Sequence, residues 1–339
     1  MDTLMRRVYP VLFYKEKDIS EDLQPYLLSV ISTDNLEGEL DSIKISVLNT
    51  DNKFLDQKWS PEKKEVLTFG IKTLNWENEL EGIMQADIGT YYIDEKSFDK
   101  KVATWKGISA PLNSKNVKNS KTWASISLKR LGEEFANKYN LEFQYLAEDF
   151  TLIDLIQENE TDFSFLNKIA QDEGIKLKIT NKKLILFDEK EFKNKDAVYK
   201  IDLQKVEDYK ITDKSNEIYD AVEITEFDPI ALSNKTVIKT KEELEGKAGG
   251  SKNKILKIKA RSKSGDLNRY CLKMLEQVNK QEKTIILKVV GDRRAYAGLT
   301  FELINGGYYS GKYMMKRVKQ TLPKFTTEIE AYLIGGKND

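Results

Sequence analysis

The side chains best able to do chemistry gather in one stretch, ENETDFSFLNKIAQDEG over residues 158–174, where Glu158, Glu160, Asp162, Asp172 and Glu173 surround a short apolar stripe. Paired carboxylates such as Glu160 and Asp162 are the minimum for general acid–base hydrolysis, as in a peptidoglycan hydrolase. A general acid must also sit in an apolar pocket that raises its pKa, and nothing in the sequence removes these groups from water. Glu158, Glu160 and Asp162 lie at or before a helix start, where each gains up to about 1 kcal/mol from the helix dipole and free amides. Asp172 and Glu173 close the same helix, where solvent screens them. Capping and solvation therefore outweigh catalysis, and no catalytic, cofactor-binding or metal-binding residue is assigned.

Other chemistry is narrowed by composition. The chain has no histidine and one cysteine, Cys271, so histidine triads and an internal disulfide are excluded. Cys271 falls on an apolar helical stripe and reads as a small buried hydrophobe. The glycine and lysine loop from Gly246 lacks the GxxxxGK[ST] spacing of a phosphate loop and reads as a surface loop. Lys plus Arg and Asp plus Glu each number 55 in 339 residues, so no global field favours nucleic acid, and specific nucleic-acid binding is not expected. No run approaches the roughly 18 apolar residues of a membrane helix, and no membrane partner is expected. VYPVLFY, after Arg6 and Arg7, reads as a first strand rather than a signal segment, which implies a soluble chain outside the general export route.

The elements that must position these residues fall into three groups. Residues 1–111 read as short strands with tight turns. Residues 112–190 form an α/β module. It contains a helix across SKTWASISLKRLGEEFANKYN with Ala124, Leu128, Leu131, Phe135 and Tyr139 on one face and Ser120 or Thr122 as N-cap. A short helix follows at TLIDLIQ, then one capped by Thr161 or Asp162, with Phe163, Leu166, Ile169 and Ala170 inward and Gly174 as its left-handed stop. Strands GIKLKIT and KLILFD close the module through an Asn181-Lys182 turn. Residues 191–339 return to strands, interrupted by one helix at about 264–280 with Leu267, Cys271, Met274 and Val278 in register. KYMMKRVK, residues 312–319, has no clean apolar face and fits either an edge strand protected by charge or a strand with one face in a polar channel or at a subunit contact.

Three motifs in order resemble the phage late-control D proteins, the baseplate hub proteins of contractile tails and R-type bacteriocins. The first is the opening segment, with Thr33-Asp34, Asp41 before an alternating strand, and Trp59-Ser60-Pro61. The second is Glu160-Thr161-Asp162-Phe163-Ser164-Phe165-Leu166 ending at Gly174. The third is a closing region with Gly291-Asp292, Ala297-Gly298, Gly311, Tyr313 and Thr326-Thr327-Glu328. Many members carry a histidine near Lys319 or Gln320, which this chain lacks.

The resemblance implies an α+β, mainly β fold with two tube-protein-like β-barrel domains flanking a small α/β module. It implies a non-enzymatic, trimeric adaptor joining a hexameric tail tube to a trimeric central spike. Threefold copies of a duplicated domain would present six similar surfaces to the tube. The partners so implied are the chain itself as a homotrimer, the tail tube protein, the spike protein, and tape-measure and other baseplate proteins. The implied location is the baseplate of a phage or bacteriocin particle, assembled in the bacterial cytoplasm and released by lysis. Against this stand the hydrolase above and an adhesin-like module that binds cells directly.

Overall fold

The computed structural model describes residues 5–228, 232–244, 246–259 and 263–336. Its body is one long sheet, antiparallel but for one short strand pair, built from both ends of the chain. The N-terminal part contains Arg7–Tyr14, Leu27–Asn35, Ser42–Leu48, Val66–Leu74, Ile83–Phe98 and Val102–Ile108. Alternation does the sorting: Ile43, Ile45 and Val47 point into a core with Leu12, Phe69, Tyr91 and Trp105, all wrapped around Phe54. The C-terminal part contains Asp208–Asp213, Lys283–Val290, Thr300–Ile304, Gly311–Leu322 and Thr326–Gly336. It closes on a second core that includes Ile285, Leu287, Phe301, Tyr313, Met315 and Ile329.

The strand Gly311–Leu322 joins the two parts. One side pairs with Thr326–Gly336 along its length. The other side pairs first with Thr300–Ile304 and then, from Arg317 onward, with Leu27–Asn35. KYMMKRVK is thus an interior strand rather than an edge. Its ambiguous pattern arises because Tyr313, Met314 and Met315 are buried on both faces and the register shifts between Met315 and Arg317, while Lys316, Arg317 and Lys319 stay partly exposed. Tyr313 and Met315 enter the C-terminal core, while Met314 enters a small cluster with Leu36, Phe187, Ala297 and Tyr332. The intervening cations meet carboxylates, with Lys316 at 3.4 Å and Arg317 at 3.5 Å from Glu330.

The α/β module departs from expectation in its first half. Residues Lys118–Ser127 are a strand, and the helix occupies only Leu128–Lys138, capped by Ser127, whose hydroxyl accepts the Arg130 N–H at 3.2 Å. Ala124 is exposed on that strand, whereas Leu128, Leu131, Phe135 and Tyr139 are buried as expected. TLIDLIQ is likewise a strand, Thr151–Thr161, paired with Lys118–Ser127. Asp154 adopts a left-handed backbone (φ 49°) that resets the alternation. Leu152 and Leu155 then both face inward, a spacing of three that imitates a helix.

The second half follows its residues closely. Helix Asp162–Asp172 is capped by Thr161, buries Phe163, Leu166, Ile169 and Ala170, and is followed by Gly174 at φ +73°. Asn181 and Lys182, both at positive φ, turn Lys176–Thr180 into Lys183–Phe187, and Glu142–Leu146 pairs parallel to the latter.

A separate three-stranded sheet, Ala221–Asp228, Ser233–Thr240 and Ile255–Lys259, is covered by helix Leu267–Asn279. Cys271 is sealed beneath that helix, donating its S–H to the Val222 carbonyl at 3.0 Å, and burial pushes its pKa up to about 11. The described part of the glycine and lysine loop, residues 246–254, is exposed. No helix among the described residues is long and apolar enough to cross a membrane.

Candidate functional site

The acidic stretch separates into sealed and exposed groups. Glu158 is exposed and Glu160 half-buried, but Asp162 is only 1% exposed. Its carboxylate accepts four hydrogen bonds: from Asn119 Nδ2 at 2.9 Å, Gln157 Nε2 at 2.8 Å, Lys138 Nζ at 2.6 Å and Tyr139 Oη at 2.9 Å. Burial alone would raise the pKa of Asp162, but Lys138, Gln157 and Tyr139 outweigh it and hold the carboxyl below its usual range. This is the opposite of a poised general acid.

Glu173, expected in solvent, is also sealed. Its carboxylate takes the Ser264 N–H at 3.1 Å and hydroxyl at 2.8 Å. Arg269, lying 3.9 Å over the Phe150 ring, donates to the Glu173 carbonyl at 3.0 Å. Burial pushes both Asp172 and Glu173 upward. Asp162 and Glu173 are thus held by buried pairing rather than by solvation, while Glu158 remains exposed.

A larger constellation lies where the module meets the β body. Lys178 contacts Asp34 and lies 3.3 Å from Asp41, so one ammonium serves two carboxylates. Lys176 contacts Glu37, and Lys280 reaches from helix Leu267–Asn279's end to both Glu37 and Glu189. Lys193 lies 3.1 Å from Glu189 and 2.6 Å from Glu276, while Lys273 lies 3.1 Å from Asp188. All of these side chains are largely withdrawn from solvent. Taxed with burial, such charges stay ionised only if each finds a partner. Burial pushes Glu189 upward, yet Lys280, Lys176 and Lys193 reverse this and hold it at about 2. Asp41 is pushed up to about 7 by burial against the pull of Lys178, because Asp34 competes for that cation. Lys178 itself, despite burial, is raised by Asp41 and Asp34.

The seam ties all parts of the chain. Asp34 and Asp41 come from the N-terminal strands, Lys176 and Lys178 from the module, and Lys273, Glu276 and Lys280 from the helix over the separate sheet. Asp34 also accepts the Ala297 N–H at 2.8 Å, drawing in the C-terminal part beside Gly298, whose φ is +98°. Chemically the arrangement fixes segments in register: five lysines facing six carboxylates clamp them together.

Of the residues singled out from sequence, the seam unites Asp34, Asp41 and the turn at Gly298. Thr33 lies beside Asp34, paired with Lys319. Gly291, Asp292 and Thr327 form a second group: Asp292 N donates to Thr327 Oγ1 at 2.8 Å, and a Cβ at Gly291 would overlap the Phe325 ring. Trp76 Nε1 donates to the Gly291 carbonyl at 2.6 Å. Gly311 and Tyr313 lie on the joining strand, where the Tyr313 ring stacks on Phe301 at 5.6 Å. Asp162, Phe163 and Leu166 stay within the module, Gly174 lies against the Lys273 side chain of the seam, where a Cβ would overlap it, and Trp59 and Pro61 line a distant cleft. Sequence reasoning missed Glu37, Lys176, Lys178, Asp188, Glu189, Lys193, Lys273, Glu276 and Lys280. Lys176 and Lys178 alternate with Leu177 and Ile179 as solvent-facing residues do, so nothing local marks them as buried.

No protein-family model and no curated protein matches the sequence. Solved structures do match. The tail protein of Neisseria meningitidis superposes with TM-score 0.70 at 10% identity, covering 96% of each chain. The 43 kDa tail protein of prophage MuSo2 from Shewanella oneidensis gives TM-score 0.70 at 11% identity, over 96% of this chain and 98% of that one. A type VI secretion system component of E. coli, described as similar to the T4 tail proteins gp27 and gp5, gives TM-score 0.57 at 10% identity, over 94% and 76%. The chain has the α+β, mainly β fold of these tail and secretion-system proteins, as the motif resemblance implied.

Proposed function

We propose that the chain is a structural baseplate component of a contractile phage tail or phage-tail-like particle, and within it the hub. The observation that carries this reading is the superposition on two tail proteins over nearly the full length of all three chains. In this reading three copies form a ring, residues 1–111 and 191–339 supply tube-like surfaces, and residues 112–190 connect them. The tube protein binds above, the spike below, and tape-measure and other baseplate proteins nearby. The motif residues from Thr33 to Thr327 act by fixing turns and junctions.

The buried charge seam supports a scaffold role, since it commits the segments to one relative placement. The saturated hydrogen bonding of Asp162 supports a non-enzymatic reading over the hydrolase. Native mass spectrometry tests the hub: a species near three times 39.1 kDa, alone or only with the spike protein, is expected. A monomer in both samples would refute the ring. A zymogram on cell-wall material is expected to show no clearing; clearing that Asp162→Asn abolishes would establish the hydrolase instead.

A further inference from the structure

The cations and carboxylates of the seam balance at one end and not at the other. Towards helix Leu267–Asn279 four lysines face four carboxylates. At the other end Lys178 alone faces Asp34 and Asp41. One negative charge is left without a cation, in a place where solvent screens it poorly: the Asp41 side chain is 5% exposed and that of Lys178 12%.

The elements packed against Asp41 supply no second cation among the described residues. The N-terminal strands bring the Asp34 carboxylate, the Asn35 N–H and the Tyr91 phenol, which burial and the two acids keep neutral. The Ser109 hydroxyl accepts the Asp41 N–H at 3.2 Å, and the module adds the Thr180 hydroxyl beside Lys178. Arg317 stops short, on Asn35 Oδ1 at 2.9 Å and on Glu39 and Glu330. Lys178 lies closer to Asp34 than to Asp41, and Asp34 keeps 21% of its side chain in solvent, so the charge belongs on Asp34 and the balancing proton on Asp41. The upward shift of Asp41 agrees with this count. Both partners also grip one loop: Asp41 closes residues 35–41 by accepting the Asn35 N–H at 2.9 Å, and Lys178 donates to the Asn35 carbonyl at 2.6 Å.

We infer that one proton on Asp41 serves as the seam's missing cation and acts as a latch between the loop over residues 35–41 and strand Lys176–Thr180. When that proton passes to solvent, two anions compete for Lys178 and the loop loosens from the module. The latch does not depend on the ring proposed above, and its test uses the chain alone.

The full-length chain, carrying carbon-13 at its aspartate carboxyls, is titrated with pH and followed by NMR, and Asp41→Asn identifies the Asp41 signal by its loss. A midpoint of about 7 is expected for that signal. Asp34→Asn, which frees Lys178 for Asp41, is expected to weaken proton binding there by at least about tenfold. Hydrogen exchange of the amides in residues 35–41 and 176–180, corrected for intrinsic rates, is expected to quicken about tenfold or more from about pH 6 to about pH 8. It should stay level in Asp41→Asn, whose amide stands in for the protonated acid. An Asp41 midpoint at the ordinary carboxylate value would overturn the bound proton, and an unmoved midpoint in Asp34→Asn would overturn the charge count. Titration of Asp41 with level exchange would overturn the latch. Exchange is read on the unaltered chain, so it decides the matter even where a variant fails to fold.

Discussion

Asp162 and Asp41 are both carboxylates almost fully sealed from solvent, yet burial has opposite outcomes for them. Asp162 has four donors and stays ionised below its usual range. Asp41 has the Asn35 N–H at 2.9 Å, the Thr180 hydroxyl and a share of one lysine that Asp34 also occupies, and burial still pushes it up. At Asp162 the donors outweigh burial, whereas at the more deeply set Asp41 burial outweighs its donors and the pull of the shared lysine.

The sharpest way to break this contrast is Lys178→Met, which keeps the volume and strands two buried carboxylates. Loss of about 3–5 kcal/mol is expected, read as a lower urea midpoint at unchanged slope. Adding Asp41→Asn to that variant is expected to recover part of the loss, and strict additivity would show that the groups are not coupled. Asp162→Asn comes next. It keeps the shape but sets an amide against the Lys138 and Gln157 donors, for an expected loss of about 2–3 kcal/mol by the same measurement.

The smallest effect is the pH response, where the two ends of the seam differ in sign. Asp41 holds a proton more tightly folded than unfolded, so its contribution is full below about pH 4 and fades as pH rises through about 7. The slope should approach at most about 1.4 kcal/mol per pH unit between about pH 4 and 7 and vanish above 7, and Asp41→Asn should flatten it. Equal slopes in both proteins would remove Asp41 from the account. Glu189 behaves in the opposite sense: held at about 2, it stabilises above about pH 4.3, and that contribution is lost as pH falls towards 2. Denaturant midpoints at acid pH for Glu189→Gln, set against the unaltered chain, read this directly.

Much of the fold is legible in the residues. Helix Asp162–Asp172 carries its cap at Thr161, its stripe and its stop at Gly174, so local signals agree with one another. The Asn181-Lys182 turn and the Cys271 helix are equally explicit. Legibility fails where local and tertiary signals part company. Leu152 and Leu155 mimic a helix only because Asp154 flips the backbone between them. Tyr313, Met314 and Met315 look patternless until they are seen to be buried on both faces of their strand.

The seam is least legible. A carboxylate or ammonium reads from sequence as surface, and only contacts such as that between Lys178 and Asp34, 144 residues apart, reveal otherwise. The acidic run drew attention because its charges are adjacent in sequence, whereas the seam's charges are adjacent only in space.

The strand Gly311–Leu322 has a mechanical consequence. Because its two halves belong to different cores while its other side runs along Thr326–Gly336, with bulges only between Lys312 and Tyr313 and between Met315 and Arg317, it acts as a shared spar between them. A load applied to either core reaches the other through rows of backbone bonds strained together, not through a linker that can bend. The two cores must therefore move as one stiff plate, and tilting one against the other requires unzipping that spar.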